Sequence, residues 1–211
     1  MEILYEDNHI IVAYKPKGVL AQADGSDKPD MLTMLKGYIK EKYNKPGNVY
    51  LGLLHRLDIN TDGIMVFAKT SKAASRLSES IKKHELEKRY LATVTGLLDN
   101  KDFIELKSYI KKDEAKRKSF IDKNGQEAIL YYRAIKAYKI NNDPVTDIEV
   151  ILKTGRFHQI RCQMASIGHP LYRDNKYGSK VENKDNFIPL TAYMLSFPHP
   201  ITKEIMTFKL K

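Results

Sequence analysis

Apolar and polar positions alternate along the chain in two rhythms, and the breaks between them outline the elements. HIIVAYKP, residues 9–16, is a short continuous apolar run that predicts a buried strand, stopped by Pro16-Lys17-Gly18. Met31, Leu35, Tyr38 and Ile39 recur at helical spacing behind Asp30, which predicts a helix with Asp30 as its N-cap. After Pro46-Gly47 the apolar stretch Val49 to Leu54 predicts a strand, and beyond the Asp62-Gly63 turn IMVFA, residues 64–68, predicts a central one. A helix capped by Ser71 should follow, with Ala74, Leu77 and Ile81 as its buried stripe. KRYLATVTG, residues 88–96, alternates so that Tyr90, Ala92 and Val94 share one strand face. Residues 129–138 and 145–153 read as two strands joined through Asn141-Asn142-Asp143-Pro144. Residues 158–167 read as a helix with Ile160, Met164 and Ile167 in register and Gly168 as its stop, and residues 205–210 as a last strand. Strands outnumber helices and some are joined as hairpins, so the expected class is α+β with a mixed, mainly antiparallel sheet flanked by helices and loops. No repeat, low-complexity segment or boundary is visible, so residues 1–211 are expected to form a single domain.

Composition narrows the setting. A chain of 211 residues can bury a real core without staples. Cys162 is the only cysteine, which excludes an intrachain disulfide and suits a reducing compartment. The start MEILYEDNHI lacks the basic and apolar regions of a signal peptide, and no stretch approaches the ~20 apolar residues of a membrane span. A cytoplasmic protein with no membrane association is expected. The net charge of +10 is concentrated, with seven basic and three acidic residues in 69–89 and eight and five in 101–123. That fits a polyanionic partner, although solvated faces of a Lys-rich chain would produce the same excess.

Two stretches carry candidate chemistry. LLHRLDINTDGIMVFAKT, residues 53–70, sets His55, Arg56 and Asp58 at the mouth of an apolar strand. Alone, an Arg-x-Asp there is more often a solvated ion pair or a turn cap than a catalytic site. A second cluster, KTGRFHQIRCQ at residues 153–163, also sets cations among apolar residues, and Arg156, His158, Gln159 and Arg161 are not expected to face one core together.

With KRYLATVTG and LKTGRFHQIRCQMASIGHPLYRDNKYG, these stretches resemble in order and spacing the signatures of the RluA-type RNA pseudouridine synthases. ILYEDNHIIVAYKPKGVLAQ is similar to that family's first strand pair and its Lys-Pro-x-Gly turn, so the resemblance runs from about Ile3 to Phe208. It implies a pseudouridine synthase fold and an isomerase that breaks the bond from uracil N1 to ribose C1′, rotates the base and rejoins it through C5. No metal, redox step or cofactor is expected. The resemblance assigns the central carboxylate to Asp58, which could add to uracil C6, attack C1′ or assist a glycal route. It makes Arg161 the partner that keeps Asp58 ionised and Tyr90 the aromatic residue packed against the target base. Arg56 should fill the space left by a flipped base, with His55 beside it on the RNA-facing loop. His55 itself reads as a hydrogen-bonded structural histidine, as does His158.

The implied partner is a structured RNA, ribosomal more than transfer RNA. The charge excess singles out Lys111, Lys112 and Lys116 as phosphate contacts. A monomer lacking the S4-like domain of many relatives is expected. Three positions depart from the family pattern: Asp62 where Ser is usual, Phe157 where Thr is usual, and Arg173 where Gly is usual. A catalytically silent RNA-folding module would share the same charge. A hydrolase built on Asp58 and His158 would need a nucleophile elbow that the sequence lacks. The six histidines show no metal-ligand spacing, and no GxxxxGK loop is present to hold a nucleotide.

Overall fold

The computed structural model describes residues 1–184 and 187–210. In chain order the elements are β1 (Ile3–Glu6), β2 (Ile10–Lys15), α1 (Met31–Lys42), β3 (Gly52–Leu53), β4 (Asp62–Ala68), α2 (Ser71–Lys82), β5 (Glu87–Thr95), β6 (Ile104–Asp113), β7 (Lys118–Ile121), β8 (Gln126–Ile140), β9 (Asp143–Leu152), α3 (Gln159–Ser166), a 3-10 turn (Asn175–Tyr177), β10 (Leu190–Pro198) and β11 (Ile205–Lys209). Strands dominate, as the α+β expectation requires. The chain forms two compact units, Met1–Glu87 with Ala192–Lys211, and Lys88–Thr191.

In the first unit β2 lies antiparallel between β1 and β4, and β10 pairs antiparallel with β11. The continuous apolar runs of β2 and β4 are buried along nearly their whole length, in the interior of the sheet order and with α2 contributing Leu77 to the same core. Ile10, Val12, Ile64, Val66, Leu77, Leu86, Leu195 and Phe197 make one core cluster. Asp30 caps α1 as expected, accepting from the Thr33 N–H at 3.0 Å. For α2 the expectation is corrected. Thr70, not Ser71, is the N-cap, its hydroxyl accepting from the Ala73 N–H at 3.1 Å, and the fully buried positions are Ala73, Leu77 and Ser80. Thr and Ser both cap well, so adjacent candidates leave the helix start open by one residue. The strand expected over Val49 to Leu54 shrinks to Gly52–Leu53, where it pairs with Ala68 and Phe67.

Gly63 is the tightest point of this unit. Its φ of +132° suits only glycine, and a Cβ built there would lie 2.3 Å from the Ala192 carbonyl oxygen. Gly63→Ala should therefore destabilise by about 2–4 kcal/mol, through strain and a clash with backbone that cannot swing away. A urea midpoint within error of wild type would show that β4 tolerates the contact.

The second unit is an antiparallel array in the order β5-β9-β8-β6-β7. Tyr90, Ala92 and Val94 are buried together on one face of β5, as their alternation predicts. The β8–β9 hairpin closes on only two residues, Asn141 and Asn142, both with positive φ, so Asp143 and Pro144 already belong to β9. Helix α3 ends as Gly168 predicts, with the Gly168 N–H donating to the Ala165 carbonyl and the His169 N–H to that of Met164. Among the described residues, no helix is long and apolar enough to cross a membrane.

Candidate active site

Asp58 lies on the loop between β3 and β4, and each neighbour in the loop is fastened differently. The His55 Nε2 accepts from the Val66 N–H at 3.3 Å, Leu57 is buried, and the Ile59 carbonyl accepts from the Gly18 N–H at 2.8 Å. Gly18 is the left-handed residue of the Pro16-Lys17-Gly18 turn, so the end of β2 braces this loop. The Asp58 carbonyl accepts from the Thr61 N–H, which closes a turn. Asp58 is left half-buried, and Arg56 is exposed.

Beneath the loop stands Lys15, which the sequence presents only as the polar end of a strand. It is completely buried, its Nζ donating to the carbonyls of Val19 at 2.8 Å and Pro16 at 3.0 Å. Burial pushes its pKa down to about 8, against the opposing pull of the Asp58 and Asp62 carboxylates. Lys15 thus supplies a positive field to Asp58 below that pH. Asp62, one of the departures, accepts from the Tyr14 hydroxyl at 2.6 Å and has Lys17 at 3.9 Å. Its extra charge is engaged inside the protein instead of simply facing an incoming phosphate.

Tyr90 is 5% exposed on β5, opposite Val150 of β9. The reverse face of these strands carries a separate ion cluster, in which buried Glu149 accepts from Arg89 at 3.1 Å and from Arg133 at 2.6 and 2.9 Å. That cluster fastens β5, β9 and β8 together behind the tyrosine.

Arg161 is 4% exposed on α3. Its Nε and Nη2 donate to the two carboxylate oxygens of Asp174 at 2.7 and 2.8 Å, and its guanidinium lies 4.9 Å from the Tyr177 ring centre. Nη1 lies 3.1 Å from the His158 Nε2, and the His158 Nδ1 lies 3.0 Å from the Tyr177 hydroxyl. A guanidinium can only donate, so the imidazole accepts at Nε2 and carries its proton on Nδ1, facing Tyr177. The Tyr177 oxygen also accepts from the Ser119 N–H at 2.8 Å. As the sequence leads one to expect, Arg156, His158, Gln159 and Arg161 do not all face one core: Gln159 and Arg161 are buried, whereas Arg156 and His158 are only half-buried. Helix α3 is buried from Gln159 to Met164, and its polar groups there are hydrogen-bonded in place. Gln159 and Gln163 bond each other at 2.9 Å and reach the carbonyls of Ile129 and Leu106.

Asp174 and Tyr177 went unassigned in the sequence, although both lie in PLYRDNKYG. Short loop residues 13 and 16 positions beyond Arg161 give no periodic signal. Arg173, the third departure, sits at φ +64°, where glycine would be unstrained. Its N–H donates to the Ser179 hydroxyl, and its carbonyl accepts from Asn183.

Burial, then the positive charges of Arg161, Lys176, Lys112 and Arg117, hold the His158 pKa down at about 2. An unfolded histidine titrates near 6.5, so between these values only the unfolded chain binds the proton. The contribution is complete above about pH 6.5 and is lost as pH falls. Wild type should lose about 2 kcal/mol more than His158→Gln between pH 7 and pH 5 in paired urea titrations. Parallel losses would mean that His158 titrates normally in the folded protein.

Residues 9–166 match the RNA pseudouridylate synthase family. The chain belongs to that family. An RNA pseudouridine synthase of Aquifex aeolicus is 34% identical across all of this chain and 69% of its own length. The tRNA pseudouridine synthase C of Haemophilus ducreyi is 30% identical over 98% of this chain and 89% of its own. The ribosomal large subunit pseudouridine synthase D of Yersinia pestis is 33% identical over 95% and 64%. The human RNA pseudouridylate synthase domain containing 1 superposes with a TM-score of 0.78 at 21% identity, covering all of this chain and 82% of that one, which establishes the pseudouridine synthase fold. The protein is accordingly an RNA pseudouridine synthase, an isomerase of uridine in RNA.

Proposed function

We propose that the chain isomerises particular uridines in structured RNA, ribosomal in preference to transfer RNA, with Asp58 as the catalytic carboxylate and Tyr90 and Arg161 as its partners. The observation that carries this reading is the fastening of the HRLD loop, which holds Asp58 half-buried while Arg56 is exposed. A group that meets a sugar must be positioned to a fraction of an ångström, whereas one that displaces a base must reach outwards. The target nucleotide has to leave its stack at a cost of roughly a few kcal/mol, and Arg56 replaces it there.

Bond changes then balance within the nucleotide. The N1–C1′ bond breaks, C5 bonds to C1′, and the C5 hydrogen leaves as a proton while N1 gains one. Asp58 stands against the sugar and base whether it adds at C6, attacks C1′ or supports elimination to a glycal. Arg161 keeps the site electropositive. A guanidinium presents two hydrogen-bonding edges, so the Nε–Nη2 edge bound to Asp174 is compatible with a second carboxylate at the other. Tyr90 packs against the base, with its hydroxyl as the proton acceptor from the sugar.

Relatives named for both substrates match the chain, a ribosomal large-subunit synthase at 33% identity and a transfer RNA synthase at 30%, so the ribosomal preference is the part of the proposal that needs its own test. Tritium release from C5-labelled ribosomal and transfer RNA, both extracted from cells lacking the gene, tests it. Release from ribosomal RNA alone supports the preference, and release from transfer RNA alone overturns it. Tyr90→Phe should retain RNA affinity and lose turnover by about 10²-fold or more, the scale of a lost proton transfer. Unchanged turnover would leave Tyr90 as a packing surface.

A further inference from the structure

A cavity of about 380 Å³ opens beside the approach to α3, lined by β6, β7, the connection into β8 and the loop before the helix. Sites that hold small molecules span about 300–1,000 Å³, so a nucleobase with its phosphate is within scale. Lys111, Lys112 and Arg156 line it, and among the described residues no carboxylate does. Arg156 is aimed by its own backbone and side chain. Its N–H donates to Gln159 and its Nε to the Glu127 carbonyl at 2.8 Å, which leaves the terminal nitrogens for a ligand. Gly125 forms part of the wall, where a Cβ would lie 2.5 Å from the Ile110 backbone, so the connection crosses β6 as closely as a chain can.

The cavity also contains an aromatic plate, Phe157. One face of its ring is backed by the His158 imidazole at 3.9 Å and 19°, and its carbonyl accepts from the Ser119 hydroxyl. Since His158 is itself held by Tyr177 and Arg161, the plate is rigid. The Lys112 ammonium lies 4.8 Å from the ring centre and pairs with Glu114, both at exposed positions. Such an ion pair is worth little in water and yields readily to a phosphate.

We propose that this cavity is a second nucleotide subsite, in which an unpaired RNA base outside the reacting position stacks on Phe157 while Lys111, Lys112 and Arg156 take its phosphate. Asn124 and Gln126, on the rim, offer amides to the base edge. The inference rests on the RNA reading above but not on the chemistry at Asp58.

A uridine-free probe separates the two. Fluorescein-labelled decaadenylate should bind wild-type protein, and Phe157→Leu should weaken it by about tenfold, the scale of one lost base stack. A decamer of abasic ribose phosphates should bind both proteins equally. Phe157→Trp should bind decaadenylate at least as well as wild type, which guards against a folding defect in the leucine variant. Lys111→Gln, at an exposed position, should weaken both probes. Equal decaadenylate binding by wild type and Phe157→Leu, or an equal loss on the abasic probe, would overturn the subsite. Wild-type tritium release accompanied by that null result leaves the isomerase standing without the subsite. A Phe157-dependent stack with no release from any RNA supports the subsite and counts against the catalytic reading.

Discussion

Asp58→Asn is expected to fold, to bind RNA as the wild type does and to form no pseudouridine. The asparagine matches the carboxylate in shape, and the loop around it is held by the His55 ring nitrogen, buried Leu57 and the Ile59 carbonyl. What is lost is a negative oxygen able to bond to, or stabilise, the reacting sugar or base. Deleting such a group should cost on the order of 10⁴-fold or more in turnover. Nucleoside chromatography of digested RNA gives the turnover, while gel shift and thermal unfolding give affinity and stability. Lost RNA binding in parallel with activity would move Asp58 from chemistry to substrate capture.

Arg161 should show the largest combined effect on stability and activity. Arg161→Met removes the cation that faces Asp174, a carboxylate whose side chain is only 1% exposed. An uncompensated buried charge of this kind costs about 3–5 kcal/mol, so the urea midpoint should collapse. Arg161→Lys separates charge from shape. An ammonium can satisfy one Asp174 oxygen but cannot form the two parallel bonds seen at 2.7 and 2.8 Å while also donating to His158. It should fold with a smaller deficit and, if Arg161 partners Asp58 as proposed, lose turnover by roughly 10²-fold or more, because that partner is no longer fixed. Wild-type turnover in Arg161→Lys would exclude any need for the guanidinium fork.

The parts of the fold that were legible in the sequence have one buried side and one solvated one, or an end marked by a particular residue. β5 announced its buried face through Tyr90, Ala92 and Val94, and α3 its end through Gly168. β6 and β7 give a weak signal because Glu105, Lys107, Lys111 and Lys112 crowd the pattern with charge, and Ile110 is the one fully buried position of β6. Their inner face is small, Ile110 and Ser119 packing towards α3, Cys162 and Tyr177, which leaves little apolar rhythm to read. Helix α2 was found but begun one residue late, because Thr70 and Ser71 both offer a capping hydroxyl.

At the candidate site, the motif residues were legible and their supports were not. Lys15 looks like a solvated strand end, yet it is sealed under the Asp58 loop by two carbonyls that come from the following turn. Asp174 is a polar loop residue whose meaning is supplied by Arg161, and that pairing exists only once α3 and the 3-10 turn come together. Arg173 is a bulky residue in a left-handed conformation whose Nε donates to the Glu182 carbonyl at 3.1 Å, a bond that its sequence neighbourhood does not announce.

The central claim is that this chain moves the glycosidic bond of uridine from N1 to C5, which loss of the C5 hydrogen together with recovered pseudouridine reports. Purified protein should release tritium from C5-labelled structured RNA, one tritium for each pseudouridine recovered, with the strand uncut and no free uracil. RNA that binds but releases no tritium, or that yields free uracil or broken strands, would contradict the account.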